Sequence, residues 1–176
     1  GNEYSAQIIS VQRKNVIVEA DACLSLTKES PLPIHLGQGV SKGDRMDTVL
    51  QKSVELGVTE ITPILTERCT VKLDAGRWGK KQQQWQKIMV GACEQSGRNV
   101  LPTLNPPVTL SNWLAESTSS TRLVLAPGAT SSLARQPYNT KGYRLLIGPE
   151  GGLSETEIHH ANEKGFLSVS LGPRIL

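Results

Sequence analysis

The chain has 176 residues, 38% of them hydrophobic, and a formal net charge of +3 at pH 7. That length suits one ordinary domain, or one domain with a fragment of another, and no apolar run approaches the roughly 18 residues that a membrane-spanning helix needs. Cys23, Cys69 and Cys93 form no CxxC pair, and His35, His159 and His160 form no ligand cluster with them, so the chain reads as reduced and cytoplasmic, without a structural metal.

In chain order, residues 4–9 (YSAQII) and 15–19 (NVIVE) flank the turn-prone Gln12-Arg13-Lys14 and predict a β-hairpin. One hairpin is marginal alone, so residues 1–30 are expected to be the remnant of a small β domain with its linker. The stretch 27–33 (TKESPLP), polar and punctuated by proline, is the linker candidate. A second domain over 31–176 then alternates strands and helices.

Residues 34–40 predict a short strand. Ser41 followed by Asp44 predicts a side-chain helix cap, and Met46, Val49, Leu50 and Val54 recur at helical spacing up to Gly57. Residues 61–65 predict a strand, with Pro63 suited to an edge or a strand start. A longer helix is expected over 78–95, with Trp78, Trp85, Ile88, Met89 and Ala92 as its apolar stripe. A short helix at 110–116 and strands at 122–125 and 143–147 follow. Ser154-Glu-Thr-Glu157 is a capping box opening a helix that ends at Lys164-Gly165, and 168–171 is the last strand. Strands separated by helices predict an α/β domain with a mostly parallel sheet flanked by helices.

Charge is unevenly spread along this pattern. Residues 1–67 carry six Lys/Arg against nine Asp/Glu, 68–98 carry seven against two, and the remainder six against five. The basic middle segment fits a polyanionic partner as well as it fits a solvated helix face.

Three predicted strands end in similar Gly/Pro turns: Leu125-Ala126-Pro127-Gly128, Ile147-Gly148-Pro149-Glu150-Gly151-Gly152 and Leu171-Gly172-Pro173-Arg174. Ligands of open α/β sheets sit outside the carboxyl ends of strands. Glycine lets a ligand reach the main chain, and proline holds the loop's shape. No Gly-Lys-Ser/Thr follows GPEGG, and it is not GxGxxG. A diphosphate would be repelled by Glu150, whereas an adenosine ligand bearing a cationic group, such as S-adenosyl-L-methionine, suits these loops. A second polar set, Glu94, Gln95 and Arg98 in residues 92–99 (ACEQSGRN), admits two readings. It is either a helix C-terminus with Gly97 at C′ and Arg98 meeting the dipole, or a group presented to a substrate, which Arg68 could join.

Five segments, 51–57 (QKSVELG), 66–69 (TERC), 92–98 (ACEQSGR), 146–152 (LIGPEGG) and 171–176 (LGPRIL), together resemble the SPOUT methyltransferases. More narrowly, they are similar to the bacterial 16S ribosomal RNA uracil-N3 methyltransferase family. The resemblance implies a C-terminal trefoil knot, a preceding PUA-like β domain and S-adenosyl-L-methionine bound by the three loops, with the third extending through Ile175 and Leu176. It also implies a homodimer acting on 16S rRNA of the small ribosomal subunit. Because the family continues past LGPRIL, the chain is expected to be trimmed at its C-terminus as well as within its β domain.

Under that resemblance Arg68, Lys72, Arg77, Lys80 and Lys81 are expected to hold RNA phosphates. Arg98 and Arg174 are expected beside the base, with Glu94 or Glu150 as acid-base group. Alternatives are a non-catalytic RNA-binding or ribosome-assembly protein, a SPOUT enzyme with another target nucleotide, and an enzyme of another adenosine-containing ligand.

Overall fold

Residues 2–24, 28–69 and 75–172 are described by the computed structural model. Strands β1 (Glu3–Val11) and β2 (Val16–Leu24) pair antiparallel. Gln12 N–H donates to Asn15 O at 2.8 Å to close the turn. Register irregularities at Tyr4/Ala6 and Ile8/Ser10 interrupt this hairpin. Its β-branched residues face water on both sides, with Ile8, Val11, Ile17 and Val18 all exposed, and it shares no strand with the larger sheet.

The larger sheet takes its strands from the rest of the chain. These are β3 (Ile34–Gly39), β4 (Glu60–Leu65), β5 (Thr103–Leu104), β6 (Val108–Thr109), β7 (Thr121–Leu125), β8 (Tyr143–Ile147) and β9 (Leu167–Val169). Their order is β5-β4-β3-β8-β7-β9, with β6 also on β4, and every pairing is parallel. Among the described residues α-helices α1 (Asp44–Glu55), α2 (Ala75–Ser96), α3 (Leu110–Ala115) and α4 (Glu155–Glu163) connect them, with a 3-10 turn at Leu133–Arg135 between β7 and β8. Period-two alternation divides the apolar side chains between two faces. Leu145 and Ile147 pack toward the core of α1 and α2, built on Met46, Leu50, Val54, Trp85 and Met89. Leu146 joins the opposite core of α3 and α4, built on Trp113, Leu114, Ala161 and Phe166. The result is an α/β architecture with a parallel sheet flanked by helices, as the alternating pattern predicts.

Several local expectations change. Ser41 is buried and does not cap α1; the cap position is Gly43 at φ 61, without a side-chain hydrogen bond. Asp44 and Asp47 in the first turn complement the helix dipole instead. Pro63 lies inside the sheet, opposite Gln38 of β3. On its other side β5 covers Glu60 and Ile61 while β6 covers Ile64 and Leu65, so the residue without an N–H falls where that neighbouring ladder is interrupted. The two-residue strands β5 and β6 have no sequence periodicity to announce them. Predicted as a linker, residues 28–33 are held instead. Pro33 O accepts from Tyr143 N at 3.0 Å, and Glu29 is ion-paired to Arg98.

Candidate active site

In the parallel sheet β7 lies between β8 and β9, so the loops leaving their carboxyl ends are adjacent. They enclose a cavity of about 240 Å³, lined by Leu125, Ala126, Pro127 and Gly128 after β7 and by Ile147, Gly148, Pro149, Gly152 and Leu153 after β8. Val169, Ser170, Leu171 and Gly172 close it from β9. Among the described residues the lining holds no charged side chain. Its walls are aliphatic, and its polar groups are main-chain amides and carbonyls with one serine hydroxyl.

Gly148 is required by close approach: a Cβ there would lie 2.7 Å from Leu153 N and 2.8 Å from the carbonyl carbon of Gly152. Gly39, at the end of β3, meets the same loop, where a Cβ would stand 2.5 Å from Pro149 Cδ. Buried Gln38 donates Nε2 to Gly148 O and Gly39 O, both at 3.0 Å. The loop's turn is thus fixed by its neighbours and not by its own residues alone.

Glu150 and Gly151 sit in the loop but do not line the cavity. The Glu150 carboxylate accepts from Lys42 N and Arg45 Nη1, each at 3.0 Å. Its own backbone N–H, then that of Lys42 and the Arg45 guanidinium, hold its pKa below the ordinary carboxylate value against the effect of desolvation. An ionised carboxylate so engaged anchors the loop to the start of α1. Gly151 O accepts from Arg68 Nη1 at 2.6 Å, which lays the exposed arginine along the outside of the pocket wall.

Residues 28–176 match the family model for an RNA methyltransferase domain. This chain belongs to that family. Among relatives of the RNA methyltransferase domain is the ribosomal RNA small subunit methyltransferase E of Buchnera aphidicola (subsp. Schizaphis graminum), 42% identical over 149 residues, which are 84% of this chain and 61% of the relative. The chain therefore spans about three fifths of that curated relative's length. The Neisseria gonorrhoeae ribosomal RNA small subunit methyltransferase E, solved bound to S-adenosyl methionine, is 39% identical with a TM-score of 0.93, covering 100% of this chain and 73% of its own. A Legionella pneumophila protein solved with the cofactor SAM is 46% identical with a TM-score of 0.94, covering 99% and 72%.

Within this RNA methyltransferase domain, Arg68, Arg77 and Lys80 are exposed at the pocket's end of the sheet, where β4 runs out and α2 begins. Lys81 is partly engaged there, 3.7 Å from Asp47 and over the Trp85 ring at 5.7 Å. Lys72, Pro173, Arg174, Ile175 and Leu176 lie outside the described residues.

Arg98 and Glu94 are not brought to the pocket. Helix α2 runs antiparallel to the strands, so its end lies at the sheet's amino edge, one strand length or about 20 Å from the loops. Arg98 is buried, donating Nη1 to Val54 O at 2.8 Å and Val58 O at 3.0 Å. Its Nε and Nη2 donate to Glu29 Oε2 at 3.1 and 2.5 Å. The guanidinium is thus engaged by Glu29 and two main-chain carbonyls, away from this chain's pocket, where the expectation was a place beside a substrate base. Glu94 is exposed on the outer face of α2, beside Lys87 and Val90.

Sequence reasoning missed Leu153, Val169 and Ser170 in the lining. Leu153 had a usable signal: it precedes the N-cap Ser154, the position of a hydrophobic staple toward Ile158. Val169 and Ser170 were hidden because the last strand ends two residues earlier than its apolar pattern. Among the described residues no group of His, Cys, Asp and Glu is placed to hold a metal ion, and no helix is long and apolar enough to cross a membrane.

Proposed function

We propose that this domain methylates N3 of a uridine in 16S ribosomal RNA, with S-adenosyl-L-methionine as methyl donor. The observation that carries the reading is the uncharged pocket at the carboxyl edge of a parallel sheet, walled by three Gly/Pro loops and flanked by exposed Arg68. Aliphatic walls with main-chain polar groups between them suit an adenine ring and a sulfonium. The lack of a lysine or arginine among the described lining residues disfavours a di- or triphosphate. When bound, S-adenosyl-L-methionine supplies an electrophilic methyl group on sulfur.

Uracil N3–H is a weak acid between two carbonyls, so charge develops on O2 and O4 as its proton leaves. Fixed arginines stabilise such charge. Arg68 is the exposed guanidinium held at the pocket wall, and Arg174 in the third loop is a second candidate. Glu150 serves as the anchor of its loop, because a carboxylate with a lowered pKa and three donors is a poor proton acceptor. A base within a paired segment would have to be turned out of the stack to reach the pocket.

The exposed two-faced hairpin supports reading residues 1–30 as part of a PUA-like β domain, with 31–176 as the methyltransferase domain. Placement of β8 between β3 and β7 supports a C-terminal trefoil knot. A homodimer in the cytoplasm, acting on the small ribosomal subunit, completes the reading.

Calorimetry of the full-length protein with S-adenosyl-L-methionine and its demethylated product tests the pocket. Mass spectrometry of 16S rRNA after incubation with the donor tests the reaction, a methyl group on uridine N3 being expected. RNA binding without donor binding would support the non-catalytic alternative, and a methyl group on another atom would refute the N3 assignment.

A further inference from the structure

Glu157 is a buried carboxylate with two separate obligations. As the third residue of α4 it completes the capping box: Oε2 accepts from Ser154 N at 2.9 Å, while Ser154 Oγ accepts from Glu157 N at 3.2 Å. Its other oxygen accepts from Glu67 N at 2.8 Å, ninety residues earlier in the chain. Glu67 belongs to the turn after β4, and the next residue, Arg68, returns a hydrogen bond to Gly151 O of the cofactor loop. Two crosslinks therefore run between the same two segments, one buried and made by Glu157, one exposed and made by Arg68.

Local structure explains only half of this. A helix cap needs one acceptor at this position, and glutamine serves as well as glutamate. A carboxylate offers two acceptor oxygens and no donor, which is what two converging backbone N–H groups require. Glutamine has one oxygen and an NH2, so whichever way it turned, one N–H would face another donor. A buried N–H without an acceptor is costly enough that such groups are rare. The turn would then separate from the loop or shift.

We propose that Glu157 is a positioning residue: by bridging Glu67 N to the α4 cap it fixes the turn at 66–69 against the loop at 147–153, so that Arg68 is presented to the substrate RNA at the pocket wall. The assignment rests on the methyltransferase reading. It extends that reading by coupling the donor loop to the substrate-facing turn through one buried side chain.

The test uses the full-length protein, its E157Q and R68A variants and the double variant. Hydrogen exchange comes first: the Glu67 amide should be protected in the wild type and exchange about tenfold faster or more in E157Q, while the amides of α4 keep their protection because the cap survives. S-adenosyl-L-methionine affinity should stay within about threefold, and kcat on RNA should fall roughly tenfold. If Glu157 acts through Arg68, the double variant should be no slower than R68A alone, the losses failing to multiply. An unprotected Glu67 amide in the wild type overturns the bridge even if E157Q does not fold. Multiplying losses, or a fully active E157Q, remove only the role of Glu157. Wild-type protein that transfers no methyl group removes the methyltransferase reading itself.

Discussion

His35 and Trp113 show how single side chains hold the amino edge of the sheet. Thr62 Oγ1 lies 2.7 Å from His35 Nε2 and Trp113 Nε1 lies 3.4 Å from it, while Nδ1 lies 3.5 Å from Glu60. Arg144 stacks over the Trp113 ring at 4.1 Å and donates to Trp113 O and Glu116. Burial lowers the His35 pKa from 6.5, Glu60 and Glu116 working against it and Arg144 with it. The folded state thus favours a neutral ring. As pH falls through 6.5 the unfolded chain gains a proton that the folded chain resists, so stability present at neutral pH is lost toward the lower folded value. Urea midpoints should accordingly be lower at pH 5.5 than at pH 7.5, and H35Q should narrow that gap.

Gly148 gives a second prediction at this scale. Its missing Cβ is occupied by backbone atoms of Leu153 and Gly152, which cannot rotate away. G148A should cost about 1–3 kcal/mol of stability and weaken donor binding at least tenfold, measured by thermal melting and calorimetry.

Between elements, the clearest junction is that of residues 28–33 with α1 and α2. Arg98 fastens three segments through Glu29, Val54 O and Val58 O. Truncating Arg98 leaves the buried carbonyls of Val54 and Val58 without this donor, at a cost of about 1–3 kcal/mol each. R98A should therefore unfold at markedly lower denaturant while the folded fraction keeps its donor affinity; an unaltered midpoint would remove the clamp. This junction also marks where sequence reading stops. A helix C-terminus is one of the two readings that residues 92–99 admit, and Gly97 at φ 71 with Arg98 N donating to Cys93 O at 3.0 Å agrees with it. The pairing of Arg98 with Glu29 depends on contacts 69 residues apart, which no periodicity encodes. By contrast, α1 was readable from Met46, Leu50 and Val54, and the Ser154–Glu157 capping box marked the start of α4, because those signals are local. The three pocket loops were readable because the strand ends repeat one chemistry.

For the whole molecule, the basic residues of 68–98 do not act as one patch. Arg68, Arg77 and Lys80 stand at the pocket's edge, Lys81 is partly neutralised by Asp47, and Arg98 is buried at the far edge. On the proposed reading Arg68, with the exposed Arg77 and Lys80, meets phosphates there. RNA affinity should fall with added salt, and R68A/K80A should lower the slope of log affinity against log salt by roughly 1.5. An unchanged slope would place the RNA elsewhere.

The strand order carries a consequence for how the protein comes into being. β8 pairs with β3, setting Tyr143 beside Ile34, and all three strands that wall the pocket come from the last third of the chain. Parallel pairings between such distant segments are slow to form, and during synthesis these strands leave the ribosome after α1 and α2. The pocket is thus formed only once β8 has reached β3 across the intervening helices, so a chain that shows the cavity has already brought its distant segments together.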